Sequence, residues 1–261
     1  MRTVILVFIL MLTMTVYAVQ AKGVANVSDA VDDNQGKTGR YQKTVTLSAL
    51  MGEEGARAFE GAVEPGHEIH FDVYVPNTYD PSRPAGVLVF VSPTISGQIP
   101  KKWKKIFDRR NLIWVSVGKS GNKVSALRRI AEASVSPAFI AQNYKINPDR
   151  IYLSGFSGGG RISSYTASYY PELFKGTIFI CGVNPWAQTP PPLFDIIKKN
   201  RFVFLSGTQD FNLRETKKVY KLYNKAGVEN TKLMVVANMA HAIPDSTKYD
   251  EAIGFLDKDL P

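Results

Sequence analysis

Cysteine is almost absent from this chain: Cys181 is the single one in 261 residues, so no internal disulfide can form. Histidine is nearly as scarce. His67, His70 and His241 are the three available, and any proton-transfer role suited to imidazole falls to one of them. Long apolar runs are missing apart from Val4 to Val16, which is short for a membrane span. There is no internal repeat and no second set of catalytic signals, so one large domain is the simplest organisation. No recognisable nucleic-acid-binding module is present, which makes nucleic acid a poor partner despite a formal charge of +9.

The first residues are Met1-Arg2, the apolar run, then Ala18 and Ala21 with small or short-branched residues upstream of each. That order predicts a secretory signal peptide over residues 1–21, cleaved after Ala21 or Ala18, with an uncleaved signal anchor as the alternative. No cysteine ends this segment to carry a lipid, so no stable membrane anchor is expected, and the protein is read as periplasmic or extracellular. Such a basic chain favours anionic surroundings, including envelope polymers. Lys101, Lys102, Lys104, Lys105, Arg109 and Arg110 cluster around Trp103. The cluster is a candidate docking surface, against the simpler reading of a solvated helix face.

Residues 22–42 are polar and are expected to form a flexible lead-in, with order beginning near Lys43 and one domain over 43–261. His67 to Val75 alternates polar and apolar residues and predicts an outer antiparallel strand. Gly86 to Val91 and Leu112 to Val117 are almost continuously apolar, as parallel strands covered on both faces are. A helical pattern starts near Lys123, and Pro137 is expected to kink or split it before Tyr144. Asn147-Pro148-Asp149 predicts a turn into the next strand. Further strands are expected at Thr177 to Cys181, Phe202 to Leu205 and Leu233 to Val236. A helix between the last two carries Asn212 with Glu215 as an N-terminal cap and Gly227 as its stop. Alternation of this kind predicts an α/β fold with a mostly parallel central sheet flanked by helices on both faces. No long insertion separates the late strands, so no large lid domain is expected.

Ile151-Tyr152-Leu153 leads into Gly155-Phe156-Ser157-Gly158-Gly159, which fits the G-x-S-x-G elbow that presents a serine at a sharp strand-to-helix turn. Ser157 is the candidate nucleophile. A serine hydroxyl needs a base in hydrogen-bond reach and a third group to orient that base. His241 follows the last expected strand, where the base belongs in a Ser, acid, His order. Asp210 stands just past Phe202 to Leu205 and is the leading acid. Asp195 and Asp245 suit the role less well, and helix capping is the alternative duty of Asp210. The amide of Gly158 is the first oxyanion-hole donor. The second is sought in Ser92-Pro93-Thr94, where Pro93 has no N–H; Thr94 is the leading choice and Ser92 the alternative. Trp186 and Pro190 to Pro192 either border an acyl pocket or simply pack.

Asn147 to Gly159, followed by Tyr170-Pro171-Glu172-Leu173-Phe174, resembles the elbow region of α/β-hydrolases of the poly(3-hydroxybutyrate) depolymerase and feruloyl esterase group, over roughly Phe71 to the end of the chain. Where that group often carries a His-Gly pair, this chain has Ser92-Pro93. The resemblance implies an α/β-hydrolase fold with Ser157, Asp210 and His241 as a triad. The expected function is a secreted serine hydrolase that cleaves carboxylic esters, bulky or polymeric ones included, without metal or organic cofactor. A peptidase, an acyl transferase or a non-catalytic envelope-binding protein is the alternative.

Overall fold

Side chains alternating along the central strands enter two different cores, which is why those strands are apolar at nearly every position. Val87, Val89, Val91, Ile113 and Val115 face one core, and Leu88, Phe90, Leu112 and Trp114 face the other. Residues 36–258 are described in a computed structural model of the chain. The expected leader, 1–21, and the start of the expected lead-in, 22–35, lie outside the described residues.

The elements are β1 (Gly39–Thr46), α1 (Leu47–Arg57), β2 (Glu68–Val75), β3 (Ala85–Val91), a 3-10 turn (Lys101–Trp103), α2 (Lys104–Arg110), β4 (Leu112–Gly118) and α3 (Ala126–Asn143). They continue with β5 (Ile146–Phe156), α4 (Gly158–Tyr169), β6 (Gly176–Ile180), α5 (Phe194–Ile197), β7 (Arg201–Gly207), α6 (Leu213–Ala226), β8 (Asn230–Val236) and α7 (Ser246–Leu256). Eight strands form one sheet in the order β1-β2-β4-β3-β5-β6-β7-β8. β2 runs antiparallel to both β1 and β4, and every other pairing is parallel. This is the helix-flanked, mostly parallel sheet that the sequence predicts. Between β6 and β7 the chain carries only the four-residue α5, and no lid covers the strand ends among the described residues.

Four local expectations are corrected. The first described strand, β1, begins at Gly39, inside the expected lead-in, because the polar residues of β1 pair with β2 and two of them, Arg40 (3.1 Å) and Gln42 (2.7 Å), donate to Asp72 Oδ1. β2 is therefore the second strand and β1 the outer one. Pro137 does not split α3, whose residues Arg129 to Ile140 are all buried. Ser134 and Ser136 turn their hydroxyls back to the carbonyls of Ala131 and Glu132 (2.8 Å each), and packing on both sides outweighs the lost N–H. Asn147 to Asp149 lies within β5, where Asp149 N donates to Asn147 Oδ1 (2.9 Å) and the pairing with β3 shifts register.

The basic cluster also divides. Trp103 is fully buried, stacks on Tyr249 at 3.8 Å and donates to Pro244 O (3.3 Å). Arg109 and Arg110 bind Asp250, and Arg110 and Arg150 bind Asp257, tying α2 and β5 to α7. What remains exposed is Lys101, Lys102 and Lys105, together with Arg109 on its ion pair with Asp250.

Candidate active site

Ser157 sits between the end of β5 and the start of α4 with φ 55° and ψ −120°, a left-handed conformation that costs a non-glycine residue about 1–3 kcal/mol. Its surroundings enforce it. Ser157 N donates to Ile180 O (2.8 Å), holding the turn to the end of β6. At Gly159 the helix comes so close to β3 that a Cβ would stand 1.9 Å from Val91 O, so no larger residue could follow the serine at that spacing. The hydroxyl is thereby lifted to the carboxyl edge of the sheet.

Residues from three separated segments meet there. His241 Nε2 lies 2.9 Å from Ser157 Oγ, and its Nδ1 lies 2.8 Å from Asp210 Oδ1. Asp210, 5% exposed, also accepts from Ser206 Oγ (2.5 Å, on Oδ2) and Asn212 N (3.1 Å). Burial pushes its carboxyl pKa up, but the hydrogen bonds from Ser206, His241, Asn212 and Cys181 outweigh burial and hold it below the ordinary carboxylate value. An ionised Asp210 keeps the Nδ1 proton on its own side, leaving Nε2 free to accept from the serine. The imidazole is packed between Phe156 (5.0 Å) and Phe211, which stacks on it at 4.2 Å.

Cys181 is buried beside this relay, and burial, followed by the hydrogen bond and charge of Asp210, pushes its thiol up to about 12. Ligand atoms of Cys181, Asp210 and His241 lie within 4.8 Å of one another. A metal held by His241 Nδ1 there would have to displace the imidazole's bond to Asp210.

His241 is held on a loop fastened to the end of β7. Thr208 N donates to Val236 O (2.9 Å), Gln209 N to Met239 O (3.0 Å), and Asn238 N to Thr208 Oγ1 (2.9 Å). Gly207 permits this closeness, since a Cβ there would meet Met239 O at 1.7 Å. Gly207→Ala is expected to push the His241 loop away and lower kcat by about 10²-fold or more, because an ångström of misplacement costs that much. Ester turnover beside a far-UV circular dichroism spectrum checks it; unchanged turnover would separate this contact from the placement of the base.

Of the expected oxyanion donors, Gly158 opens α4 and its N–H has no partner among the described residues. Thr94 is a correction. Its N–H donates to Ser92 Oγ (3.1 Å) and its own hydroxyl meets the same oxygen at 3.1 Å, because a serine two residues upstream offers a nearer acceptor than any ligand. Ser92, the alternative, is 6% exposed, with its hydroxyl turned to Thr94 and its carbonyl to Arg129. Asn212 does not cap α6 through its side chain. It donates Nδ2 to Cys181 O (2.8 Å) and accepts from Arg161, which also pairs with Glu215. Trp186 is buried against Tyr223 (4.2 Å) and Phe194 (5.4 Å), which is packing. Sequence reasoning missed Ser206, Phe156, Phe211 and Arg161. Ser206 and Phe211 flank Asp210 closely in the chain, and that adjacency is the one signal that pointed to them.

The family model described as phospholipase/carboxylesterase matches residues 122–259. Acyl-protein thioesterase 1 homolog 2 of Dictyostelium discoideum is 28% identical over 99 residues, covering 37% of this chain and 45% of that protein. Acyl-protein thioesterase 1 of Debaryomyces hansenii is 27% identical over 118 residues, covering 44% of this chain and 50% of that protein. The chain thus spans about half the length of the curated relatives it matches. Among solved structures, a mutant of the feruloyl esterase module from Clostridium thermocellum, complexed with sinapinate, has a TM-score of 0.62 at 14% identity and covers 90% of this chain and 95% of that one. A ferulic acid esterase has a TM-score of 0.59 at 13% identity and covers 84% and 98%. The structural likeness establishes the α/β-hydrolase fold.

Proposed function

This chain belongs to the phospholipase/carboxylesterase family, and on that footing we propose that it is a serine hydrolase cleaving carboxylic esters through an acyl-enzyme, with Ser157 as nucleophile, His241 as base and Asp210 as its orienting acid. The observation that carries the proposal is the unbroken pair of hydrogen bonds, 2.9 Å and 2.8 Å, running from Ser157 Oγ through His241 to Asp210. Ser157 Oγ attacks the acyl carbon while its proton passes to His241 Nε2. The carbonyl electron pair moves onto the oxygen, which faces the free N–H of Gly158. When the tetrahedral species collapses, the alcohol leaves with the proton held on Nε2. Water then repeats the sequence on the acyl-serine and releases the acid. The mechanism calls on no metal or organic cofactor.

Substrate contact falls to apolar surface at the rim. Phe211 over His241, and Ile95 in the segment after β3, are each 76% exposed. Exposed apolar side chains at this rim suit an apolar acyl or alcohol group. The absence of a lid among the described residues is compatible with a bulky or polymeric ester. A thioester is the second reading, favoured by the names of the curated relatives; the same attack at the carbonyl carbon would serve. Peptide cleavage, acyl transfer, or binding to anionic envelope polymers through Lys101, Lys102 and Lys105 is a weaker alternative. We also propose export, on the charged, apolar and small-residue order of residues 1–21, which N-terminal sequencing of the mature protein checks.

The test is a panel of p-nitrophenyl esters, an acyl thioester and a peptide anilide, run beside fluorophosphonate labelling with mass-spectrometric location of the adduct. Ester turnover with an adduct on Ser157 is the expected result. Thioester turnover alone would select the second reading, and anilide turnover alone or an adduct elsewhere would refute the proposal.

A further inference from the structure

An oxyanion needs at least two aimed donors, and the elbow has one ready in Gly158. The loop after β3 does not offer the second through Thr94, whose N–H is turned onto Ser92. A different group stands beside Gly158. Asn122, in the turn after β4, packs its side-chain amide so closely against that glycine that a Cβ on Gly158 would lie 2.1 Å from Asn122 Oδ1 and 2.8 Å from Nδ2. Asn122 N donates to Pro93 O (2.9 Å), locking this turn to the loop after β3. Oδ1 accepts from Arg129 Nη1 (3.4 Å), which sets the amide's orientation. Nδ2 has no partner among the described residues, and the side chain is exposed at the open site.

Behind Asn122 is a buried charged group. Arg129 is 4% exposed, and its Nη2 donates to Ser92 O (2.8 Å), so one guanidinium grips both loops that face the elbow. One turn along α3, Glu132 is 1% exposed and takes bonds from Arg128 Nε (2.8 Å), His67 Nε2 (2.9 Å) and Ser120 Oγ. Burying charge is costly without compensating bonds, and apolar residues of similar volume usually stabilise as well or better. The bonds made here hold loops rather than fill a core.

We propose that Asn122 Nδ2 is the second oxyanion donor and that Arg129 is its positioning residue. The proposal rests on Ser157 being the nucleophile. The test measures kcat, KM and the inhibition constant of a trifluoromethyl ketone, which mimics the tetrahedral species, for the wild type, Asn122→Ala, Asn122→Asp, Arg129→Lys and the double variant Asn122→Ala/Arg129→Lys. Asn122→Ala is expected to lower kcat by about 10²–10³-fold with KM within about threefold, the loss typical of one such donor. The ketone should weaken by the same factor, and the melting temperature should not move, since the side chain is exposed. Asn122→Asp should be worse, because it sets a negative charge against the oxyanion. Arg129→Lys should lower kcat in the wild type but add nothing to Asn122→Ala, which a purely structural role would not reproduce. Asn122→Ala within threefold of a wild type that labels at Ser157 would overturn the proposal. A wild type that never labels at Ser157 would instead sink the nucleophile, and this proposal with it.

Discussion

Replacing Ser157 with alanine is expected to lower kcat for p-nitrophenyl esters by on the order of 10⁶-fold, because nucleophile, base and acid act as one unit and the loss of one removes nearly all that the three supply. The fold should tolerate the change. The bond from Ser157 N to Ile180 O is a backbone contact and survives, and alanine meets the same φ of 55° with the same Cβ. What is lost is the hydroxyl 2.9 Å from His241 Nε2. Rates measured beside a thermal melt check this: a melting temperature within a few degrees of the wild type and a residual rate near that supplied by the oxyanion donors and binding alone. A variant that kept a hundredth of the wild-type turnover would remove Ser157 from the role.

Asp210→Asn is expected to cost about 10⁴-fold in kcat with little change in KM, since the amide leaves the geometry in place but selects the wrong tautomer. Asp210 accepts from Ser206 Oγ, His241 Nδ1 and Asn212 N. An amide in its place presents an NH2 to one of these donors, and an imidazole that answers by moving its proton to Nε2 can no longer accept from Ser157. A second consequence is in acid. The folded-state pKa of Asp210 is lowered, because the hydrogen bonds to it outweigh burial. Its contribution to stability is therefore fully present above the unfolded carboxylate value, about 3.9, and is lost as pH falls through the lower folded value. Denaturant midpoints taken between about pH 2 and 6 should fall more steeply below about pH 4 for the wild type than for Asp210→Asn. Equal slopes would assign the acid sensitivity to other carboxylates.

The proposed nucleophile, Ser157, is legible because its signal is local. Five consecutive residues, Gly155 to Gly159, carry the small side chains that the turn needs, and an apolar run before them identifies the strand. Asp210 and His241 are legible through order instead: each follows a strongly apolar strand, and a parallel sheet brings the carboxyl ends of its strands to one edge. The misses follow the same logic in reverse. β1 is mostly polar, with Tyr41 its one buried residue, and only the pairing with β2 and the bonds to Asp72 show why Arg40 and Gln42 lie in a strand. Trp103 reads as an aromatic among lysines, yet Tyr249, far along the chain, covers it. Pro137 obeys its local preference until the buried packing of α3 overrides it.

The order of residues along the chain thus picked out the side chains proposed to do the chemistry, because strand propensity, the elbow turn and the right-handed winding of a parallel sheet are set by local pattern. Tertiary structure alone decided how that chemistry is supported. Thr94 turned its N–H onto Ser92, Asn212 turned from capping α6 to holding Cys181 and Arg161, and Arg129 reached from the first turn of α3 to two loops. For Asn212 and Arg129 this is a competition between partners distant in sequence, won by the one that folding brings within reach, whereas the contact of Thr94 with Ser92 is local and is set by the path of the loop after β3.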